Sequence, residues 1–243
     1  MGSGAFPRSV SGPVVRYSRA MDPTPSQTGG HGGGLGFRLF GLRVTVQPWF
    51  FLTAWIVGRQ SIDVVAESVW IVIVFLGVLV HELGHAVAAR RLGLEPRITL
   101  HGFGGTTSWL PSRPVSSWAR IGITAAGPLC GLAVGGAAWL VLRSGASGVG
   151  GDILRDIVWV NLGWGLLNLL PVLPLDGGEI AGTFAGMVAG STGRIVVRVL
   201  SLVLLAAIAV WGLARGHLWT LFLAVILGFA NVEALRTELS RRT

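Results

Sequence analysis

Two histidines four residues apart, with an acid beside the first, occur in the run His81-Glu82-Leu83-Gly84-His85. On a helix, positions i and i+4 share one face, so both imidazoles can point at one ion while Glu82 stands about 100° around the axis. This is the outline of a zinc site with a base next to it. Upstream, residues 69–80 carry no charge, and Trp70 is their only hydrogen-bonding side chain. Ionisable groups that follow such a run sit at membrane depth, where they are expensive and mark function.

Catalytic zinc takes three protein ligands and keeps one position open. A second polar cluster, Asn168-Leu169-Leu170-Pro171-Val172-Leu173-Pro174-Leu175-Asp176-Gly177-Gly178-Glu179, ends another apolar stretch. Its two prolines break the helix, and irregular backbone at membrane depth is tolerated only when buried in protein or lining a wet cavity. Asp176 is the preferred third ligand, because an Asp-Gly-Gly turn after the broken backbone lets the chain approach an ion closely. Glu179 is the rival carboxylate. His101 is a further contender, with a polar loop histidine as its default reading. One zinc per chain so held lowers the pKa of a bound water to about 7. Glu82 would then take the water's proton and return it to a leaving amine. The Asn168 amide suits a developing oxyanion, with an interhelical hydrogen bond as the competing reading. Asn161, two turns earlier, reads as a structural amide.

The elements that must position these groups are apolar. Of 243 residues, 51% are hydrophobic and 12% charged, with a mean hydropathy of +0.67. That composition specifies an all-α polytopic membrane protein. About six transmembrane helices are expected, near 48–57, 64–89, 121–142, 157–170, 195–214 and 218–235, with a short interfacial helix at 180–189. Residues 37–46 read as a short strand. Residues 96–108 read as a β-hairpin or edge strand near the membrane face, which could add a peptide strand. Residues 1–36, rich in Gly, Ser, Pro and Arg, are expected to be a disordered cytoplasmic tail, and 37–243 the transmembrane domain. All nineteen basic residues are arginine. A cytoplasmic N-terminus followed by six spans leaves fifteen of them inside and four (Arg59, Arg143, Arg155, Arg215) outside, the positive-inside pattern. Both termini and the site are then expected to face the cytoplasm, with the cell membrane as the expected location. The net charge of +8 therefore calls for no nucleic acid. The single cysteine, Cys130, excludes an intrachain disulfide and supports no thiolate metal site.

Four features together resemble the site-2 protease family of intramembrane zinc metalloproteases: the HELGH run in a membrane helix, Phe103-Gly104-Gly105, Ala126-Gly127-Pro128, and the segment from Asn168 to Gly178. The resemblance covers roughly residues 37–180. It implies a zinc metalloendopeptidase that hydrolyses a peptide bond within or near a transmembrane helix. Its substrate would be a single-span protein such as a membrane-anchored regulator, commonly trimmed first by another protease. It also implies His81, His85 and Asp176 as ligands, Glu82 as base and Asn168 as a polar helper. Two departures stand out. Gly131-Leu132 replaces the asparagine that often follows Ala-Gly-Pro, and neither a PDZ insertion nor a CBS domain is expected. A metal transporter would need carboxylates or histidines along a path, and the other spans hold almost none. A catalytically silent relative would lack a ligand or the base, and all are present. The oligomeric state is left open by the sequence.

Overall fold

The computed structural model describes residues 34–58, 63–109 and 114–240. The chain begins with β1 (Leu35–Leu39), β2 (Leu42–Val46), α1 (Pro48–Val57), α2 (Val64–Arg91), β3 (Pro96–His101) and β4 (Gly104–Trp109). It continues through α3 (Ser117–Arg143), α4 (Gly148–Val158), a π-helical turn (Trp159–Gly163), α5 (Trp164–Asn168), α6 (Asp176–Ala214) and α7 (Leu218–Ser240). Residues 1–33 of the expected tail, and 59–62 of the polar turn after α1, lie outside the described residues. β1 begins at Leu35, inside the stretch read as tail.

The β content exceeds the expected hairpin. Four strands form one sheet in the order β1-β2-β3-β4, with β2 and β3 parallel and the outer pairs antiparallel. A parallel pair needs a long crossover, and α1 with α2 supplies it. Because β3 lies between β2 and β4, only β4 of the expected edge at 96–108 is an edge. Alternation in β2 and β3 turns Leu42, Val44, Val46, Ile98 and Leu100 inward, onto Phe50, Ala54, Trp70, Val74, Val78 and Ala86. Arg90 Nη1 donates to Phe40 O at 2.5 Å, the Phe50 and Phe75 rings lie 6.1 Å apart, and Trp70 Nε1 donates to Ala54 O at 3.0 Å. Thus β2 and α1 together run antiparallel alongside α2, and the β1–β2 turn is level with the C-terminal end of α2.

α2 is capped by the Asp63 carboxylate, which accepts from Val65 N at 2.9 Å, and it ends in Arg90 and Arg91. A cap acid and C-terminal cations both suit the helix dipole. Its 28 residues extend about 42 Å, more than a hydrocarbon core of about 30 Å. α2, α3, α6 and α7 are the four helices long and apolar enough to cross a membrane. α1 has only ten residues, and the run 148–168 is interrupted by the π-turn, so neither belongs to that set. Ala189 and Gly190 leave helical geometry inside α6, Gly190 at φ +58°, which is the break anticipated between 180–189 and 195–214. Arg198 does not snorkel as a lipid-facing arginine would. It is buried and, with Arg194, pairs Glu238 of α7 at 3.1 and 2.8 Å, joining α6 to α7.

Candidate metal centre

α2 brings His81 and His85 onto one face, and the first turn of α6 brings Asp176 to meet them. His81 Nε2 lies 3.0 Å from Asp176 Oδ2 and 3.1 Å from His85 Nε2, and His85 Nε2 lies 3.5 Å from Asp176 Oδ2. Ligand bonds of about 2.0–2.1 Å in a tetrahedron place donors about 3.3–3.4 Å apart, so this triangle has the edges of a tetrahedral site. The tautomer fits as well. His85 Nδ1 donates to Ile123 O at 2.9 Å, which leaves Nε2 a lone pair aimed into the triangle. Donor atoms that converge this closely could hold a metal ion among them. Among the described residues these three form the one His/Cys/Asp/Glu group so arranged.

Glycines let the helices close around this centre. A side chain at Gly84 would collide with the backbone at Ala126 and Gly127 of α3, and one at Gly127 would collide with the His85 ring. Gly84 therefore serves the close approach of another backbone. Gly177 and Gly178 sit in the first turn of α6 instead of in a separate tight turn. There they let that helix lie against the backbone of Leu169 to Leu173.

The broken segment between α5 and α6 finds its hydrogen bonds in side chains. Leu173 N donates to Ser201 Oγ at 3.1 Å, and Asn231 Nδ2 donates to Leu173 O at 2.6 Å. Ser201 on α6 and Asn231 on α7 are both buried. Single polar residues in apolar helices carry no sequence signal for this role, which depends on what the fold brings opposite them. Asn168 ends α5 with Nδ2 3.3 Å from His81 Nε2, so its amide faces the metal-binding atom and not a backbone group of another helix.

Glu82 is 4% exposed and lies close enough to feel the charges of His85, His81 and Asp176. β4 covers it. Thr107 Oγ1 donates to Glu82 Oε2 at 2.6 Å and also stands 3.1 Å from Glu82 O, while any side chain at Gly105 would overlap the carboxylate. Thr107 carries no signal in the sequence alone, because a threonine in a strand becomes informative only once the strand is placed over the acid. His101 is not brought to the centre. It ends β3, with Nε2 2.8 Å from Thr106 Oγ1 and Nδ1 accepting from Phe103 N at 3.2 Å. Burial lowers its pKa below the ordinary histidine value, so the neutral ring is the one built into the hairpin. Glu179, three residues after Asp176, feels the positive charges of Arg120 and Arg198 and is not part of the metal-competent group.

Comparison with known proteins finds this chain similar to proteins named zinc metalloproteases. Rip3 of Mycobacterium tuberculosis, whose name assigns it to the zinc metalloproteases, is 35% identical over 185 residues, covering 70% of this chain and 46% of Rip3. A zinc metalloprotease of Methanocaldococcus jannaschii is 30% identical over 148 residues, covering 59% of this chain and 43% of its own length. The chain thus spans just under half the length of the curated relatives it matches. No family model matches it. In structure, the site-2 protease from Methanocaldococcus jannaschii superposes with a TM-score of 0.59 at 20% identity, covering 82% of this chain and 94% of that one, a likeness of fold.

Proposed function

The chain belongs to the site-2 protease family and is an integral membrane protein, and from that premise we propose that it is an intramembrane zinc metalloendopeptidase. Its substrate is a single-span membrane protein, cleaved within or near the transmembrane helix. The observation that carries this reading is the triangle of His81 Nε2, His85 Nε2 and Asp176 Oδ2, 3.0 to 3.5 Å on a side, with a buried glutamate beside it. One zinc ion bound by the three residues would act as Lewis acid and lower the pKa of water to about 7. Glu82 takes a proton from the attacking water as the new C–O bond forms, then delivers it to the departing amine as the C–N bond breaks. Asn168 donates its amide N–H to the carbonyl oxygen as negative charge develops there. The free edge of β4, which lies on Glu82, offers main-chain groups to an extended substrate segment. A helical substrate shields its carbonyls, so it must unwind to be cut.

In the bilayer, α1 and the run 148–168 join α2, α3, α6 and α7 to give six membrane segments. At about 1.5 Å per residue the uncharged part of that run, 157–168, extends about 18 Å and α1 about 15 Å, so both are only partly immersed and Arg155 stays outside. Fifteen arginines against four support a topology with both termini and the site at the cytoplasmic side of the cell membrane. The direct test is zinc content together with cleavage of candidate single-span substrates by the purified chain. Zinc-loaded protein that cuts no membrane substrate would refute the proposal.

Two variants probe the helpers. Asn168→Ala is expected to lower kcat by roughly 10² to 10³ with little change in KM, retaining its zinc and melting temperature. An Asn168→Ala protein that is unstable yet fully active per folded molecule would remove Asn168 from the chemistry. Thr107→Val, which keeps the shape but not the hydroxyl, is expected to lower kcat by up to roughly 10², with zinc content unchanged and Thr107→Ser restoring the rate. Equal rates for Thr107→Val and wild type would show that the 2.6 Å bond to Glu82 plays no part in turnover.

A further inference from the structure

The outer face of the sheet carries a row of arginines. Strand register sets Arg38 opposite Arg43 and Arg43 opposite Arg97, with Ser108 completing the row on β4. Directly opposed residues share a face, and all four side chains are exposed. The neighbouring row on that face is Gly36, Thr45, Thr99 and Thr106, equally without an acid. Glu95, exposed and two residues before Arg97, is the carboxylate nearest to it in sequence. Among the described residues no ion pair engages Arg38, Arg43 or Arg97. Three guanidinium groups across strands about 4.8 Å apart repel one another, and opposed like charges weaken a sheet unless an anion sits over them.

The depth of the row identifies the anion. Thr107 and Gly105 are level with Glu82, and the β1–β2 turn is bonded to Arg90, so the row lies between the levels of Glu82 and Arg90 on α2, which are about 12 Å apart. Arginine stems reach outward from there to the headgroup zone. A large apolar side chain stands beside the row: Phe40, in the turn two residues beyond Arg38, is 78% exposed at a φ of +50°. An exposed aromatic beside arginines at the end of a span is the composition of a membrane interface. An acidic segment of a soluble partner would leave Phe40 uncovered. We infer that Arg38, Arg43 and Arg97 form a docking surface for anionic phospholipid headgroups, which seats the sheet, and with it β4 over Glu82, against the bilayer surface.

The test uses the full chain in mixed micelles of phosphatidylcholine and phosphatidylglycerol, with retained lipids counted by native mass spectrometry. Wild type is expected to prefer phosphatidylglycerol, with the preference falling about fivefold for each arginine removed in the series Arg38→Gln, Arg43→Gln and Arg97→Gln, and falling in high salt. The charge-matched control carrying Arg143→Gln, Arg155→Gln and Arg215→Gln should keep it. The triple lysine variant at positions 38, 43 and 97 should also keep it, which separates charge from any folding defect. Equal retention of both lipids by wild type, or an undiminished preference in the folded triple glutamine variant, would overturn the inference. So would a triple glutamine variant that keeps its lipids but cleaves more slowly a substrate with an acidic juxtamembrane segment, since the face would then belong to the substrate.

Discussion

Glu82→Gln is expected to bind one zinc per chain as wild type does and to cleave roughly 10²- to 10⁴-fold more slowly, the usual contribution of a positioned general base. The argument rests on the separation of roles within five residues. His81 and His85 aim their Nε2 atoms at Asp176, whereas Glu82 is turned toward β4 and bonded to Thr107. Glutamine preserves the size of the side chain and an acceptor for the Thr107 hydroxyl, but it cannot take up a proton at neutral pH. Zinc analysis and single-turnover cleavage on the same preparation decide the matter. Zinc loss in Glu82→Gln equal to that in His81→Ala would mean that Glu82 is a ligand, and unchanged turnover would mean that the base lies elsewhere.

Much of the centre was legible because its signals are local. The spacing of His81 and His85 fixes their shared helix face, and the prolines at 171 and 174 announce irregular backbone just before Asp176. The charge-free runs forecast the long helices, and Gly190 marks the break in α6. What stayed hidden depends on contacts distant in sequence. Val44 pairs with Ile98 across α1 and α2, so nothing in either strand alone announces a parallel neighbour or turns β3 into an interior strand. Arg198 looks like a cation that snorkels, and only the fold brings Glu238 opposite it. Thr107, Ser201 and Asn231 belong to types found at many structural positions, and their roles appear once Glu82 and Leu173 are placed beside them.

Asp176→Ala is expected to leave zinc content far below stoichiometric and activity below detection, while Glu179→Ala keeps the metal. Removing one of three ligands leaves a pair of histidines only, which cannot close a catalytic site. The two carboxylates lie one helical turn apart in α6, so sequence distance alone does not choose between them. Geometry does. Asp176 Oδ2 is 3.0 Å from His81 Nε2 and 3.5 Å from His85 Nε2, whereas Glu179 stands outside the metal-competent group and within electrostatic range of Arg120 and Arg198. Losing Glu179 should therefore disturb packing among α3, α6 and α7, seen as a lower melting temperature, and reduce cleavage only in proportion to the folded fraction. Asp176→Asn sharpens the comparison, since it retains the shape and a neutral oxygen donor but withdraws the negative charge, and it should bind zinc more weakly than wild type and more strongly than Asp176→Ala. Zinc retained in Asp176→Ala and lost in Glu179→Ala would reverse the assignment and move the third ligand one turn along α6.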